Sequence, residues 1–189
     1  MNENGPPQES AAPGRLESGR IDYRELEAGG LTFRVPVSGY LFNNADCWAK
    51  VEGSRARVGI SDFLQRSAVR VLSFEPPRAG LRYSIFDKIC SLPTERLTLD
   101  VISPVSGELI SINPDVVESP DLMHQDPYGR GWLVELELSD LDYDIEFLMD
   151  CEGYLELARA KLTSGGPRRS CPCTPRGAVY RRPDADPSR

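Results

Sequence analysis

Apolar residues alternate with polar ones at Leu31, Phe33, Val35 and Val37, the period of two of a half-buried strand, which Ser38-Gly39 ends. Cys47 to Val51 and Arg55 to Gly59 flank Glu52-Gly53-Ser54 and predict a hairpin whose glycine supplies the difficult backbone angle, with Trp48 packed inside. Ser61 or Asp62 caps a short helix through Phe63, Leu64 and Ala68, because a side-chain oxygen there accepts from free first-turn amides. Val69 to Phe74, Thr98 to Ile102, Glu108 to Ile112 and Trp132 to Leu138 are further strand-like runs bounded by Pro, Gly or Asn-Pro. After Ser139 the period changes. Leu141, Ile145, Leu148 and Met149, then Tyr154, Leu155, Ala158 and Leu162, predict two closing helices broken around Gly153, the first capped by Ser139 or Asp140. Many short strands with tight turns imply a barrel or a sandwich.

Composition sets the limits of this fold. Residues 1 to about 20 carry almost no large apolar side chains and are expected to be a disordered tail, because they bury too little surface to offset ordering entropy. Residues 21–162 are the domain. Residues 163–189, with the break Gly165-Gly166-Pro167, are expected to be a second, Pro/Arg-rich disordered tail. At 189 residues, 40% hydrophobic and 27% charged, the chain suits one domain with a core. A net charge of -7 argues against nucleic-acid or anionic-membrane partners for the body of the chain, which would need a concentrated basic surface. From Gly165 onward the sign reverses: six arginines oppose Asp184 and Asp186. There is neither a run long enough to span a bilayer nor the basic and apolar start of a secretory signal, so a cytoplasmic location is expected. Five cysteines, an odd number, read as free thiols rather than a disulfide framework.

The candidate chemistry is sparse. Cys171-Pro172-Cys173 could hold a soft metal ion or cycle as a thiol pair, but structural zinc needs four ligands and the second pair is missing. His124, the sole histidine, lies beside Asp126-Pro127-Tyr128-Gly129 and is read as a surface or loop-anchoring side chain rather than a proton-transfer group. Asp126, Asp140, Asp142, Asp144 and Glu146 lack the ligand order and glycine of a calcium loop, and are expected to form a solvated helix start. No phosphate loop, nucleophile elbow or zinc-protease pattern occurs.

Several blocks between about Val37 and Leu162 resemble, in order, the H protein of the glycine cleavage system. They are Trp48-Ala49-Lys50-Val51-Glu52-Gly53, Val58 to Gln65, Ser103-Pro104-Val105-Ser106-Gly107-Glu108, Asp126 to Trp132 and Leu148 to Tyr154. The resemblance implies a lipoyl/biotinyl-type flattened β-barrel, a barrel-sandwich hybrid, with short peripheral and C-terminal helices. It also implies an aminomethyl shuttle between partner enzymes, carried on a lipoyl group attached to a hairpin lysine. Pro104 and Gly107 read as turn residues, Gly107 permitting a positive φ. Counting back from Ser103-Pro104-Val105-Ser106-Gly107, and forward from Gly80, the lysine's place falls on Arg96. Where the family has Glu-Ser-Val before the lysine and small residues after it, Pro93-Thr94-Glu95 and Leu97-Thr98-Leu99 stand here.

Lipoylation needs an amine nucleophile, and a guanidinium stays protonated. The three lysines are Lys50, Lys88 and Lys161, all away from that position, and Asp46 stands near the place of a family histidine. The expectation is therefore a non-catalytic protein with no lipoyl cofactor, whose hairpin tip of Thr94, Glu95 and Arg96 binds a protein partner. That partner is a glycine-cleavage component or a lipoyl-handling enzyme. Two alternatives stay open: a genuine lipoyl carrier, and a thiol or metal protein using Cys171 and Cys173.

Overall fold

Gly53, at φ +65, closes the hairpin between β4 (Cys47–Glu52) and β5 (Arg55–Ile60), which are the second and third strands of a six-stranded antiparallel sheet. The computed structural model describes residues 21–28, 30–67, 70–95 and 97–163. Along the chain, β1 (Tyr23–Ala28) and β2 (Leu31–Pro36) pair with each other. The sheet runs β3 (Leu41–Phe42), β4, β5, β10 (Val134–Leu138), β9 (Gly107–Ile112) and β6 (Arg82–Tyr83). A separate hairpin joins β7 (Lys88–Pro93) to β8 (Thr98–Ile102). Short helices α1 (Asp62–Ser67), α2 (Pro114–Glu118), α3 (Leu122–Gln125) and α4 (Leu141–Ile145) precede the closing α5 (Cys151–Thr163).

Alternation along β4 divides the interior in two. Cys47 and Ala49 point into a core shared by Val58, Leu109, Val134 and Leu136 of the large sheet and by Ile89, Leu92 and Val101 of the β7–β8 hairpin. The hairpin is a separate two-stranded sheet that packs over the open six-stranded one through this core, and the two together form a flattened barrel. Trp48, from the opposite face of β4, belongs to a second cluster with Phe33, Val35, Phe42, Phe63, Tyr128 and Tyr154. Its indole N–H donates to the Ile60 carbonyl at 2.9 Å, and its ring lies so close to Gly59 that a Cβ there would meet it at 2.5 Å.

Hydrogen bonds lock the outer layer onto the barrel. The Tyr128 hydroxyl accepts from the Asp62 amide (3.1 Å) and donates to the Arg34 carbonyl (2.9 Å), while the Tyr128 carbonyl accepts from the Tyr40 hydroxyl. Asn113 caps α2, accepting from the Asp115 amide, and its own amide group donates to the Arg130 and Trp132 carbonyls. Ser61 Oγ donates to the hydroxyl of Tyr154 on α5 (2.7 Å), which donates to Asp46 (2.9 Å). Lys161 pairs with the same carboxylate at 2.6 Å. Burial raises the Asp46 pKa, opposed by Lys161 and then by the Tyr154 bond.

Several expectations need correction. Residues 70–74 form no strand: the Val71 amide donates to His124 Nε2, leaving one isolated bridge to Thr94, and Pro76-Pro77 follow without donors. Helix α5 does not break at Gly153. The interruption comes earlier, where Met149 exchanges both backbone hydrogen bonds with Phe42. Gly107 has no positive φ; it is glycine because β10 passes so close that a Cβ would stand 2.4 Å from the Glu137 carbonyl oxygen. The acidic run is not uniformly solvated. Asp144 is fully buried and accepts from the Ser106 amide and hydroxyl, and burial raises its pKa against those bonds. Cap assignments resolve to Ser61, which accepts from the Leu64 amide, and Asp140, which accepts from Tyr143.

Gly107→Ala is expected to cost about 2–3 kcal/mol, because the obstructing atom is backbone within a paired strand. Gly53→Ala meets open space and is expected to cost only about 1 kcal/mol for its left-handed conformation. Urea unfolding of both variants checks this, and equal losses would contradict the close-approach account.

Candidate functional site

The β7–β8 hairpin ends in a turn bracketed by Thr94 and Leu97. The Thr94 amide donates to the Leu97 carbonyl at 2.8 Å, the Leu97 amide donates to Thr94 Oγ1 at 3.1 Å, and the Thr94 hydroxyl donates back to the Leu97 carbonyl at 2.6 Å. Thr94 is buried, whereas Glu95 and Leu97 are exposed. Arg96 follows Glu95 in the sequence, and its placement lies outside the described residues. Of the expected tip residues, the structure thus brings Thr94 and Glu95 to the turn, with different roles: Thr94 builds the turn and Glu95 faces solvent.

The tip is braced from one side. The Leu72 amide donates to the Pro93 carbonyl at 2.8 Å, and Val71 bridges to Thr94. The Val71 amide donates to His124 Nε2 at 3.1 Å, and His124 Nδ1 lies 2.8 Å from Gln65 Oε1. These partners assign the proton to Nδ1 and a neutral imidazole. His124 therefore anchors the Val71 segment, one of the two placements expected of it. Arg70 grips Asp121 with two bonds of 3.0 and 2.8 Å, and with Gln65, His124 and Gln125 they line an open depression of about 310 Å³. Asp121, and more weakly Glu95, pushes the Arg70 pKa up. No sequence pattern marks Arg70, Asp121 or Gln65 as neighbours of the tip, since the Arg70–Asp121 and Gln65–His124 contacts span 51 and 59 residues.

The three lysines lie elsewhere in the fold. Lys88 opens β7 at the far end from the turn, opposite Ile102, and pairs with Asp100 at 3.4 Å. Lys50 on β4 pairs with Glu52 at 2.9 Å, and Lys161 holds Asp46 on α5.

A family model described as "Glycine cleavage H-protein" matches residues 40–161. The chain belongs to the glycine cleavage H-protein family. A protein of Aeropyrum pernix named "Probable glycine cleavage system H protein" is 30% identical over 141 residues, covering 70% of this chain and 98% of its own length. The glycine cleavage system H protein of Carboxydothermus hydrogenoformans is 34% identical over 110 residues, 58% of this chain and 84% of that protein. The crystal structure of a glycine cleavage system H protein from Mycobacterium marinum aligns with a TM-score of 0.58 at 21% identity, over 65% of this chain and 97% of the other. The fold is thus the mainly β, lipoyl-type flattened barrel with short helices.

The lipoyl group that the resemblance implies would need an amine at this turn. Among its described residues, Thr94 offers a hydroxyl already bonded within the turn, Glu95 a carboxylate and Leu97 no polar side chain. None supplies an amine. Cys171 and Cys173 lie outside the described residues, while Cys47, Cys90 and Cys151 are buried free thiols, the first two pushed by burial to a pKa of about 12. Among the described residues no three His, Cys, Asp or Glu side chains are grouped to hold a metal, and no helix is long and apolar enough to cross a membrane.

His124 yields a pH prediction. Burial lowers its pKa below the usual histidine value, with Arg70 adding to this and Asp121 opposing it. A folded pKa below the unfolded one means that the neutral ring's stabilisation is complete above about pH 6.5 and is lost as pH falls through the folded value. Because His124 is the sole histidine, its ring NMR signals are unambiguous. They are expected to titrate below 6.5 and to move the Val71 amide with them, whereas a midpoint at or above 6.5 would contradict the neutral-anchor assignment.

Proposed function

We propose that this chain is an H-protein-family member that works without an amide-linked lipoyl arm, as a non-catalytic module that binds a protein partner through the tip of the β7–β8 hairpin. The carrying observation is that the hairpin and its bracing are intact while every lysine sits elsewhere in an ion pair. Arg96 takes the lysine's place in this reading. Its guanidinium cannot form the amide, but it offers a fixed positive charge and directed donors beside Glu95.

The tip suits contact rather than chemistry. Leu72 and Leu97 expose 56% and 44% of their surface next to the charged group of Glu95, Arg70 and Asp121, giving an apolar centre with a polar edge. The partner is a protein, either a component of the glycine cleavage system, with which the relatives' names associate them, or an enzyme that handles lipoyl groups. One observation favours the carrier alternative: the chain covers 98% of the Aeropyrum pernix relative. Against it stands the chemistry of the turn, since similarity of the scaffold does not supply a nucleophile.

A lipoyl-transfer assay separates the readings. Incubated with a lipoyl-transferring enzyme and activated acyl donor, the wild-type protein is expected to gain no mass, while Arg96→Lys gains one lipoyl group at position 96. Modification of wild-type Lys50, Lys88 or Lys161 would overturn the proposal, and an Arg96→Lys protein that stays unmodified would refute the place given to Arg96.

A further inference from the structure

Away from the hairpin tip, an aromatic patch stands uncovered on the barrel. Tyr143, Ile145 and Phe147, on α4 and the segment after it, expose 49%, 45% and 38% of their surface. The Phe147 ring meets Phe86 edge-on at 5.7 Å and Tyr143 at 5.2 Å. Phe86 is held at φ +73, a left-handed conformation unfavourable for a bulky side chain, by its N–H donating to the Ser103 carbonyl and by the Ser103 N–H donating to the Asp87 carbonyl. Strain that holds the half-buried Phe86 ring against three exposed apolar side chains marks a contact surface.

Its charge is one-sided. Asp87, Asp140, Asp142 and Glu146 are exposed around the rings. Asp87 and Asp140 accept only backbone amides, and neither Asp142 nor Glu146 has a cation partner among the described residues. The matching charge lies in the same chain: Gly165 to Arg189 holds six arginines against Asp184 and Asp186, with Val179-Tyr180 directly before Arg181-Arg182. That segment starts close by. From the last turn of α5, Lys161 donates to the Asn44 carbonyl, Asn43 donates to the Ile102 carbonyl, and the adjacent Ser103 carbonyl holds Phe86. Residues 164–189 extend to at most roughly 90 Å, far more than this short path needs.

We propose that the arginine-rich C-terminal segment folds back onto this patch, its guanidinium groups stacking on Tyr143 and Phe147 and pairing with Asp142 and Glu146. Docked there, the segment masks the patch, which is distinct from the hairpin tip. The masking is electrostatic in origin, so salt weakens it. It does not depend on the fate of position 96.

The test uses the full chain carrying a nitroxide at Cys173 in a Cys171→Ser background, with Cys47, Cys90 and Cys151 shielded from the reagent by burial. Paramagnetic broadening is expected at the Phe86, Tyr143 and Phe147 amides, unchanged on dilution with unlabelled protein. It is expected to be lost in high salt and in Asp142→Lys/Glu146→Lys, two exposed changes whose effect on folding is read from the unaltered amides of the barrel. Broadening that is absent from the patch, that survives charge reversal, or that disappears on dilution because the segment docks on a second copy, would each overturn the proposal.

Discussion

Tyr128 holds the outer layer to the barrel, and the candidate site depends on it. Its hydroxyl joins the start of α1 to β2 and its carbonyl takes the Tyr40 hydroxyl, so one residue ties three distant segments within the second apolar cluster. The loop that presents it is equally constrained. The Asp126 carboxylate accepts from the Gly129 and Arg130 amides, and a Cβ at Gly131 would meet the carbonyl oxygens of Asp126 and Leu122 at 2.7 Å. Fixing α1 fixes Gln65, which orients His124. His124 holds the Val71 amide, and Val71 braces Thr94 at the hairpin turn. The hydrogen bonds among these links are of ordinary strength, about 1 kcal/mol net each, but each also satisfies a polar group that would be costly to leave unpaired.

In the function proposed above, this linkage lets the H-protein scaffold stay intact without a lipoyl arm. Nothing in the chain from Tyr128 to Thr94 requires an amine at the tip. Lys161 is committed to a different task, since withdrawing it would leave the buried Asp46 carboxylate uncompensated, a cost of roughly 3–5 kcal/mol. Lys88 sits at the base of the hairpin, beyond a bulge between Lys88 and Cys90, where no shift of the turn brings it to the apex without re-pairing both strands. What remains among the tip's described residues is charge and exposed apolar surface, which suit the recognition proposed above.

Much of the barrel was legible in the sequence because its signals are local. Gly53 between two apolar runs, Ser61 before Phe63 and the alternation from Leu31 each correspond to the element observed. β1 was not legible: Tyr23-Arg24-Glu25-Leu26-Glu27 is dominated by exposed polar side chains, with Leu26 its buried apolar contact. α2 and α3, of five and four residues, are too short for a helical period. Gly107 shows the limit of residue-type reasoning, because its glycine answers a neighbouring strand rather than its own φ. The site divides in the same way. Counting back from Ser103-Pro104-Val105-Ser106-Gly107 leads to the stretch that holds the Thr94–Leu97 turn, but the depression of Arg70, Asp121 and His124 depends on contacts across 51 residues or more, which no local pattern carries.

The central claim concerns covalent chemistry, so the intact mass of the protein purified from its own cells tests it most directly. The account predicts the mass of the unmodified polypeptide. A species heavier by one lipoyl group, mapped by peptide fragmentation to any of the three lysines, would contradict it and return the chain to the carriers of its family.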